Sequence, residues 1–569
     1  MSSPSPEAVL ERSLQRLDWQ PVVLGEAPRR LDLLALTPSW PTRELRVRVH
    51  RNTAFEHVAS LLPPFLGYAG LSATVEYGDY DDSLSGTGLA SPEADVELVW
   101  LDYDRYRDTD PEALADWLHG RLSALRARTL APLLVVDRPG TDPAAVAFNR
   151  RLELLAQEIH GLAVADLSDV ADRLGDAFVD LRARDAAGTR LSARAAVLAA
   201  QRMGLRWLPA LVAPRVKALA VDLDMTLYQG VLGEDGPAGV VLTPAHTALH
   251  QRLRELKDDG VLLALVSRNE PQDVESLFAA RPDFPLRLED FTARAIGWGA
   301  KSEGVAAAAA ALRISTDAVV FIDDNVGELA EVSAGTPVAG LIHAADPAAT
   351  VTALSLFPGL HGHRRTDEDA LRAADLATVA ARTGAAGSDP AAYLTSLQVS
   401  LDLSVDRADQ LPRMAALTAK TNQFNAGLRR TGPAELARWL DDDDVRLVTA
   451  ALRDRLSDSG VVALVAGRRA PDGRVVVEEL CVSCRALGRG IEDHLLAAAV
   501  GRLMTEFGSG TAAVVYQPGP RNEPLRAWLA AHSRKPVSGP GEVVLSWDAG
   551  ACAALLADAP ITVTWEGPE

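Results

Sequence analysis

The feature that most constrains the fold of this chain is a repeated alternation of short apolar runs and helical stretches between residues 40 and 345. The run ELRVRVH is followed by the helical stretch TAFEHVASLLPPFLGYAG and by the run LSATVEY, which is the spacing of a strand–helix–strand unit. Two more runs, in ADVELVWLDYD and LAPLLVVDRPG, continue this series, and a second series begins at VKALAVDLD. This alternation predicts parallel sheets covered by helices, which is the α/β class.

The length of 569 residues is too great for one hydrophobic core and indicates several domains. The last part of the chain differs from the rest, because VVALVAGRRA and GRVVVEELCVSC look like long antiparallel strands and a strong helix follows them. We therefore predict a multidomain α/β chain with a C-terminal α+β domain. The predicted parts are an N-terminal extension (1–39), a doubly wound domain (40–210), a central domain (211–345), a helical connector (346–397) and the C-terminal domain (398–569).

Composition and charge exclude several classes of protein. The formal net charge of −20 disfavours nucleic acid as a partner, since phosphate backbones are bound by clustered lysine and arginine. No run approaches the length of about 18 apolar residues that a transmembrane helix needs, so we expect no membrane partner. The start, MSSPSPEAVLERSLQRLDW, lacks the basic and apolar regions of a secretory signal. Three cysteines make no disulfide framework, so we expect a cytoplasmic protein with free thiols.

Polar side chains lie where the apolar runs of the second series end. DLDMTL places two aspartates after one run, VLLALVSRN a serine at the end of the next, GWGAKSEG a lysine at the start of a helix, and AVVFIDDN two more aspartates. These residues are Asp222, Asp224, Ser267, Lys301, Asp323 and Asp324. Because the carboxyl ends of parallel strands meet at one edge of a sheet, we expect these side chains to lie close together. Carboxylates that close are costly unless a cation lies between them.

This order of acid pair, hydroxyl, lysine and acid pair resembles the haloacid dehalogenase-like (HAD) phosphatase superfamily over residues 216–335. The resemblance implies that Asp222 is the nucleophile that takes the phosphoryl group and that Asp224 is the general acid and base. It also implies that Ser267 donates a hydrogen bond to a phosphate oxygen and that Lys301 neutralises charge in the transition state. The alternative for Lys301 is a solvated surface lysine, in a chain with five lysines and 52 arginines.

The same resemblance implies a Mg²⁺ ion as cofactor, bound by Asp222, Asp224, Asp323 and Asp324. Little sequence separates the motifs, so we predict a HAD-like domain with a minimal cap, in which residues 229–241 form only a small flap. Such a site would be open to a bulky or protein-tethered substrate.

The C-terminal part contains a glycine motif between a strand and a helix. Arg485, Gly488 and Gly490, in RALGRGIEDHLL, fit the Q/R-x-x-G-x-G/A loop of GNAT acyltransferases. In that family successive backbone amides at a helix N-terminus hold the pyrophosphate of coenzyme A. The resemblance implies a GNAT-like α+β domain with a pantetheine site, and the alternative is a tight strand-to-helix turn with no ligand.

Cys481 and Cys484 form a C-x-x-C pair just before this loop. A zinc site is disfavoured because no second pair exists, and a redox site because the motif ends a strand. Three residues apart on a strand, the two side chains face opposite sides, so we predict that Cys481 packs in the core. Cys484 is then the candidate for a thiolate that carries an acyl group, with a buried small hydrophobe as the alternative and His494 as a candidate partner.

Taken together, the motifs are similar to those of the FkbH-like family. They are AVDLDMTLYQGVLGEDG, LVSRNEPQDVESLF, VFIDDNVGE, LTAKTNQFNAGLRR, LRDRLSDSGVVALV and LCVSCRALGRGIEDHLL. The similarity covers most of the chain and is strongest over residues 216–335 and 411–500. It implies an enzyme of polyketide-type biosynthesis that takes the phosphorylated acyl donor 1,3-bisphosphoglycerate, removes phosphate, and loads the glyceryl group onto the phosphopantetheine arm of an acyl carrier protein.

Two alternatives to that function stay open on the sequence. The first is a plain Mg²⁺-dependent phosphatase whose GNAT-like half only binds carrier protein or coenzyme A. The second is a scaffold for the carrier protein that has no catalytic activity. In the HAD motif, Met225, Tyr228 and Gln229 replace residues that are common in the family, which leaves the shape of the substrate near the flap undetermined.

Two further segments carry separate predictions. The N-terminal domain resembles the family's SGNH-hydrolase-like leader, with a flavodoxin-like doubly wound fold, but its first strand ends at HRNT without a G-D-S serine. We therefore predict a non-catalytic docking module. In the 420–430 segment, polar residues are candidates either for contacts with phosphate or pantetheine or for a helix-and-turn surface; they are Lys420, Asn422, Asn425, Arg429 and Arg430.

Overall fold

The computed structural model of the chain describes residues 6–84, 94–182, 188–362, 390–519 and 521–566. The chain divides into two compact units, Met1–Arg365 and Thr366–Glu569. The first unit contains two parallel sheets and the second a mixed sheet, which confirms the predicted multidomain α/β class. The finer domain boundaries stay predictions, and most of the predicted connector, residues 363–389, lies outside the described residues.

The first sheet has five parallel strands in the order β2-β1-β3-β4-β5. They are β1 Arg43–Arg51, β2 Leu71–Tyr80, β3 Val96–Trp100, β4 Leu133–Val136 and β5 Leu162–Ala165. β3 and β4 are buried along their whole length, as expected for apolar parallel strands that are covered on both faces. This order is that of the predicted flavodoxin-like doubly wound fold.

Helices surround this sheet and start at identifiable caps. Asp110, Asp142 and Ser192 each accept hydrogen bonds from amides of the first helical turn. The helices are α1 Pro6–Val23, α2 Arg30–Leu34, α3 Glu56–Ala59, α4 Leu62–Tyr68, α5 Pro111–Arg126, α6 Pro143–Glu158, α7 Leu167–Leu174, α8 Ala193–Arg202 and α9 Leu208–Val212.

The second sheet of this unit is also parallel, with the order β10-β9-β6-β7-β8. Its strands are β6 Ala218–Val221, β7 Leu262–Ser267, β8 Ala293–Ile296, β9 Val319–Asp323 and β10 Gly340–His343. Its helices are α10 Leu232–Gly239, α11 Pro244–Asp258, α12 Pro271–Ala280, α13 Lys301–Ala311, α14 Val326–Gly335 and α15 Pro347–Leu356. β6 lies between β7 and β9, so the chain order reverses there, and a crevice is expected at the carboxyl end of β6.

Helix α1 ties the two sheets of the first unit together. The Gln20 amide donates to the Leu341 carbonyl (2.6 Å) and accepts from the His343 amide (3.1 Å), both on β10. On the same helix Trp19 packs on Trp40, with 5.0 Å between ring centroids. One continuous hydrophobic core therefore includes side chains from both sheets.

The second unit is built on a seven-stranded mixed sheet in the order β16-β15-β14-β13-β12-β11-β17. Neighbouring strands are antiparallel except for the pairs β14–β15 and β11–β17. The strands are β11 Ser400–Val405, β12 Val445–Arg453, β13 Asp458–Arg469, β14 Val475–Val482, β15 Ala512–Tyr516, β16 Gly541–Val544 and β17 Thr562–Glu566. The helices are α16 Pro390–Ser396, α17 Leu411–Lys420, α18 Pro433–Leu440, α19 Glu492–Phe507, α20 Glu523–His532 and α21 Ala549–Ala557.

Alternate residues of the central strands bury against different helices. On β13, Ala463 and Val465 belong to the core that contains α19, whereas Leu464 and Ala466 pack with α17 and α18. This two-residue period is that of a strand covered on both faces. Among the described residues, no helix combines the length and apolar character needed to cross a membrane.

Candidate functional site

Three aspartates converge at the carboxyl edge of the second sheet. Asp222 follows β6 directly, Asp323 ends β9 and Asp324 comes next, so the pairing of β6 with β9 brings their side chains together. One carboxylate oxygen from each lies within 4.8 Å of the other two. Asp222 and Asp323 are buried, with 7% and 1% of their surface exposed. The predicted convergence of these strand ends is therefore present.

Lys301, the first residue of α13, lies inside this cluster. Its Nζ donates to Asp222 Oδ1, to Asp323 Oδ2 (3.0 Å) and to the Val266 carbonyl (3.2 Å). Only 4% of the lysine is exposed, so its interpretation as a solvated surface residue is wrong. The Asp222 and Asp323 carboxylates hold the ammonium in position at this edge of the sheet, where a positive charge can attract an anionic group of a substrate.

Burial raises the pKa of Asp222 to about 7, and the neighbouring Asp323 carboxylate adds to this, although the Lys301 ammonium acts in the opposite direction. Burial disfavours the charged form of Lys301, but the Asp222 and Asp323 carboxylates outweigh it and raise the lysine pKa. Burial and the Asp323 charge also raise the pKa of Asp324. Two buried carboxylates share one ammonium, and Asp324 adds a third negative charge beside them.

This charge pattern and donor set fit a hard divalent cation. Three carboxyl groups face one ammonium, and a divalent ion beside them would favour the charged form of all three. Carboxylate oxygens are the ligands that Mg²⁺ prefers in proteins. Asp222, Asp323 and Asp324 are the side chains placed to hold it.

The Asp224 carboxylate lies outside that cluster. Its Oδ1 accepts hydrogen bonds from the Tyr228 hydroxyl (2.5 Å) and the Leu232 amide (2.9 Å), and its Oδ2 accepts one from Asn269 Nδ2 (2.8 Å). The structure thus directs this carboxylate toward residues 228–232 and Asn269 and away from the carboxylates of Asp222, Asp323 and Asp324. Its predicted roles as metal ligand and as general acid and base stay predictions.

Asn269 is a site residue that sequence reasoning missed. It is 3% exposed, and its Nδ2 donates both to Asp224 and to Ser267 Oγ (3.1 Å). Ser267 itself ends β7 at the same edge, as predicted, and is also buried. Its position in the sequence could have indicated it, because Asn269 comes two residues after Ser267, a predicted site residue at the end of β7.

Tyr228 is the second missed residue, since the sequence marked it only as a departure from the family pattern. Its side chain is fully buried, and its hydroxyl donates to Asp224. Burial and the adjacent Asp224 carboxylate raise the pKa of this phenol, so it stays protonated and remains a donor. No periodicity or spacing predicts which neighbour a tyrosine hydroxyl finds.

The predicted small flap is present. Gln229 and Val241 pair through two backbone hydrogen bonds of 3.0 and 2.8 Å, and they enclose only α10, which is kinked at Gly236. His250 supports the base of the flap because its buried Nε2 donates to the Leu227 carbonyl (2.8 Å). Burial lowers the pKa of His250 to about 4, so the ring is neutral at pH 7. The part of the chain around the second sheet therefore carries the small flap that was predicted.

Exposed apolar side chains flank the site residues along the chain. Trp298, three residues before Lys301, is 70% exposed, and Met225, directly after Asp224, is 45% exposed. Met225 also has a positive φ of 57°, which turns the chain directly after the first acid pair. The full set near the site motifs is Met225, Val231, Val241, Trp298 and Val326.

The glycine loop of the second unit has the predicted backbone form but a different anion partner. Gly488 and Gly490 have φ values of +71° and +73°, which favour glycine. The Gly488 amide donates to the Glu492 carboxylate (2.5 Å), which comes from the first turn of α19. Arg485, the third predicted residue, is 5% exposed, and its amide donates to Ser483 Oγ (3.4 Å). The Gly488 amide is thus paired with a side chain of its own unit, and coenzyme binding by Arg485, Gly488 and Gly490 stays a prediction.

The two cysteines differ in burial: Cys481 is buried and Cys484 is partly exposed. Cys481 is fully buried at the end of β14, its Sγ donates to Glu479 (3.1 Å), and burial raises its pKa, which confirms that it packs in the core. Cys484 lies beyond the strand, which ends at Val482, so the opposite-face argument does not apply to it. Cys484 is partly exposed in the following turn. Within the described residues, no hydrogen bond joins Cys484 to His494.

The polar 420–430 segment stabilises its own turn. Arg430 donates to the Thr418 and Thr421 carbonyls (2.9 and 2.7 Å) at the end of α17. It also donates to Asn422, whereas Arg429 pairs with Glu435 (2.6 Å). These contacts favour the helix-and-turn interpretation for Asn422, Arg429 and Arg430.

At the carboxyl edge of the first sheet, the structure leaves a cavity of about 760 Å³. Thr53, after β1, and the Trp100–Asp104 segment, after β3, line it. His50, one residue before the end of β1, is buried and paired with Glu97 (2.9 Å). The role of this part as a docking module stays a prediction.

Comparison with known proteins adds little beyond the fold. No family model and no curated protein matches the chain. The N-terminal part of protein BF1531 from Bacteroides fragilis, containing a phosphatase domain complexed with Mg, is 19% identical, with a TM-score of 0.47 over 56% of this chain and 95% of that chain. The PaiA N-acetyltransferase of Thermoplasma acidophilum, in complex with coenzyme A, is 9% identical, with a TM-score of 0.19 over 25% of this chain and 96% of that chain. At these TM-scores neither likeness carries an argument, so the function is argued from the residues of this chain.

Proposed function

We propose that the chain is an enzyme that joins phosphate removal to acyl transfer. In this proposal it takes a phosphorylated three-carbon acyl donor, 1,3-bisphosphoglycerate, and delivers the glyceryl group as a thioester to an acyl carrier protein of polyketide-type biosynthesis. The observation that supports the phosphatase half is the buried cluster of Asp222, Asp323 and Asp324 around Lys301.

In the phosphatase half, Asp222 attacks phosphorus, and the alcohol oxygen of the substrate leaves with a proton, for which Asp224 is the candidate donor. Lys301, already beside Asp222, stabilises the charge that develops on the phosphoryl oxygens. Ser267 lies at the same edge, where its hydroxyl can donate to a phosphoryl oxygen. Bound Mg²⁺ would screen the carboxylates from the anionic substrate. Water then hydrolyses the aspartyl phosphate, with Asp224 as the candidate base.

In the acyl-transfer half, Cys484 is the candidate nucleophile because it is partly exposed in the turn after β14. Its thiolate attacks the carbonyl carbon of the acyl phosphate, and inorganic phosphate leaves as the carbon–sulfur bond forms. The phosphatase half removes the remaining phosphate ester. The thiolate of the carrier's phosphopantetheine arm then attacks the thioester and displaces Cys484, so that the glyceryl group ends on the carrier.

The second candidate is a plain phosphatase whose GNAT-like half takes no part in catalysis. The specific observation in its favour is the Glu492 carboxylate on the Gly488 amide, because that amide is the predicted coenzyme contact. The exposed apolar side chains near the phosphatase motifs favour instead a substrate that is tethered to a protein, since solvent-exposed tryptophan and methionine are typical of contact surfaces.

The two candidates are separated by one incubation. The full chain is mixed with Mg²⁺, 1,3-bisphosphoglycerate and holo-carrier protein, and the masses of both intact proteins are measured with phosphate release. A glyceryl-sized adduct on the carrier that is lost in Cys484→Ala, but kept in the control Cys552→Ala, is expected. Phosphate release without any adduct would leave the plain phosphatase as the function.

A further inference from the structure

Two neighbouring parallel strands of the second unit separate beyond a short paired region. β14 pairs with β15 only from Val475 to Val477, opposite Ala512 to Val514, although β14 continues to Val482. Parallel strands that diverge leave backbone amides and carbonyls without a neighbour. An extended chain with amide groups, such as a pantetheine arm, is the kind of ligand that adds to such an edge as an extra strand.

In this protein the chain itself occupies that gap. The Val482 amide donates to the Phe424 carbonyl (2.9 Å), and the Ala426 amide donates to the Leu480 carbonyl (3.0 Å). On the other side, the Gln517 amide, just after β15, donates to the Ala426 carbonyl (2.8 Å). Residues 424–426 therefore bridge the two separated strands through their main chain.

Buried side chains hold this segment in place. Phe424 is 3% exposed and meets Trp528 edge to face, with 6.2 Å between centroids. Asn425 is fully buried and accepts from the Leu428 amide (2.8 Å), while Asn522 Nδ2 donates to the Asn425 carbonyl (3.2 Å). Removing the segment would expose Phe424 and leave several buried polar groups unpaired, so it is a permanent strand rather than a removable strap.

The nearby glycine loop is also occupied and fixed by the chain. Glu492 accepts from the Gly488 amide, as described above. Arg489, between the two glycines, pairs with Asp454 (3.1 Å), and both side chains are at least nine-tenths buried. The anion position and the strand position of a coenzyme A site are thus both filled by residues of the same unit.

We propose that residues 424–426 are a built-in strand that closes the second unit to coenzyme A, so that the acyl group enters as an acyl phosphate and not as a coenzyme A thioester. The inference rests on the proposed function, which names an acyl phosphate as the donor, and it goes beyond that function by excluding coenzyme A as a ligand of the second unit. The pantetheine thiol of a carrier meets Cys484 from outside the sheet, without lying between β14 and β15.

Hydrogen–deuterium exchange of the full chain, with and without coenzyme A, tests the closure. Peptides that cover 422–428, 478–484 and 514–519 are expected to exchange slowly and identically in both samples. Faster exchange over 422–428 on addition of coenzyme A, or new protection of the Gly488 loop, would overturn the proposal. The same measurement on Glu492→Ala tests the strand alone, because this variant removes the acceptor from the Gly488 amide and keeps residues 424–426 in place. Coenzyme A is again expected to change nothing. Protection of the loop by coenzyme A in that variant would overturn the role of the strand.

The donor class is tested by intact mass with acetyl-coenzyme A and acetyl phosphate as simple probes. Acetyl-coenzyme A is expected to leave the protein mass unchanged, and an acetyl adduct from it that is absent in Cys484→Ala would overturn the inference. Release of phosphate that depends on Asp222 is measured in the same preparations. Loss of that release would count against the proposed function, whereas an effect of coenzyme A would count against the closure, so the two failures are distinguishable.

Discussion

The carboxyl edge of the second sheet and the glycine loop of the second unit both place polar groups at the end of a parallel strand, but they treat charge in opposite ways. At the first edge, Asp222, Asp323 and Asp324 outnumber Lys301 and leave negative charge without a partner of the chain. At the glycine loop, the Gly488 amide is satisfied by Glu492. The first arrangement favours a bound cation, whereas the Gly488 amide of the second already has a partner.

The difference shows which property of a motif indicates a binding site. A loop whose donors are satisfied by its own chain has little free energy to gain from a ligand, since binding must first break existing hydrogen bonds. A buried cluster with unbalanced charge gains from any ion that restores neutrality. The predictions below test this contrast, and they run from the largest expected effect to the smallest.

The largest effect is expected from Asp222→Asn. The amide has no nucleophilic oxygen, so the rate of Mg²⁺-dependent phosphate release should fall by about 10³-fold or more. Steady-state kinetics measure this rate. The control is Asp273→Asn, at an exposed position of α12, and it should keep the full rate. If Asp222→Asn released phosphate at the full rate, the reaction would take place elsewhere in the protein. The carboxylate cluster would then differ from the glycine loop in charge but not in function. If no phosphate is released by either protein, the non-catalytic scaffold becomes the better interpretation.

Lys301→Met should have the next largest effect. It removes the ammonium that faces the phosphoryl oxygens, and a fall in kcat of about 10²–10³-fold is expected. The variant also leaves Asp222 and Asp323 without their buried partner, so thermal unfolding should depend more strongly on added Mg²⁺ than it does in the unmodified protein. Equal Mg²⁺ dependence of the unfolding temperature in both proteins would show that the cation does not bind at this cluster.

The free energy of unfolding of the first unit should decrease at acidic pH, because folding opposes the protonation of His250. Burial holds the pKa of His250 at about 4 in the folded protein, below the ordinary value of 6.5, so the unfolded chain binds the proton more readily between these values. Stability from this group is complete above pH 6.5 and is lost as pH falls toward 4, by about 3 kcal/mol. Denaturant unfolding from pH 7 to pH 4 measures it.

The control for that prediction is His250→Asn, which keeps a donor but does not titrate. Its free energy of unfolding should be lower at pH 7 and should depend less on pH between 6.5 and 4. A slope equal to that of the unmodified protein would assign the acid sensitivity to other groups.

Tyr228→Phe should have a moderate effect that is confined to catalysis. The hydroxyl is one of three donors to Asp224, so its loss leaves that carboxylate less firmly oriented, and kcat should fall about 10-fold with little change in KM. The matched control is Tyr80→Phe, at an exposed tyrosine of the first sheet, and it should leave kcat and KM unchanged. A rise in KM with constant kcat would instead make Tyr228 a substrate contact.

The smallest effect is expected from Glu492→Ala. It removes the carboxylate from the Gly488 amide near the start of α19 and should destabilise the second unit by about 0.5–1 kcal/mol. Phosphate release should be unchanged, since the two sites belong to different units. Chemical denaturation followed with kinetics on the same samples measures both quantities, and a coupled loss of activity would contradict the separation.

Much of the candidate site at the second sheet is predictable from the sequence because its residues stand at strand ends. Asp222, Ser267 and Asp323 follow apolar runs that only a buried strand explains, and the parallel arrangement then brings the ends to one edge. The small flap is predictable from length, since residues 229–241 are too few for a larger cap.

Other parts of the sites were not predictable, since they depend on contacts between distant segments. Asn269 and Tyr228 meet Asp224 only because β6, β7 and the flap are assembled around it. The bridging of the strand gap by residues 424–426 depends on the separation of β14 from β15, which leaves no pattern in the sequence. The Cys484 position was misplaced on a strand because the end of β14 at Val482 is set by the turn that follows.

The sequence by itself determined the class of fold and the edge at which the candidate site residues meet, because hydrophobic periodicity and strand ends are local properties of the chain. Only the tertiary structure decided which polar groups are left unsatisfied. Lys301 is buried with an excess of carboxylates, whereas Gly488 is capped by Glu492. Whether a donor or a charge has a partner is a property of the assembled surroundings, and that property separates a site that requires an ion from a loop that is already closed.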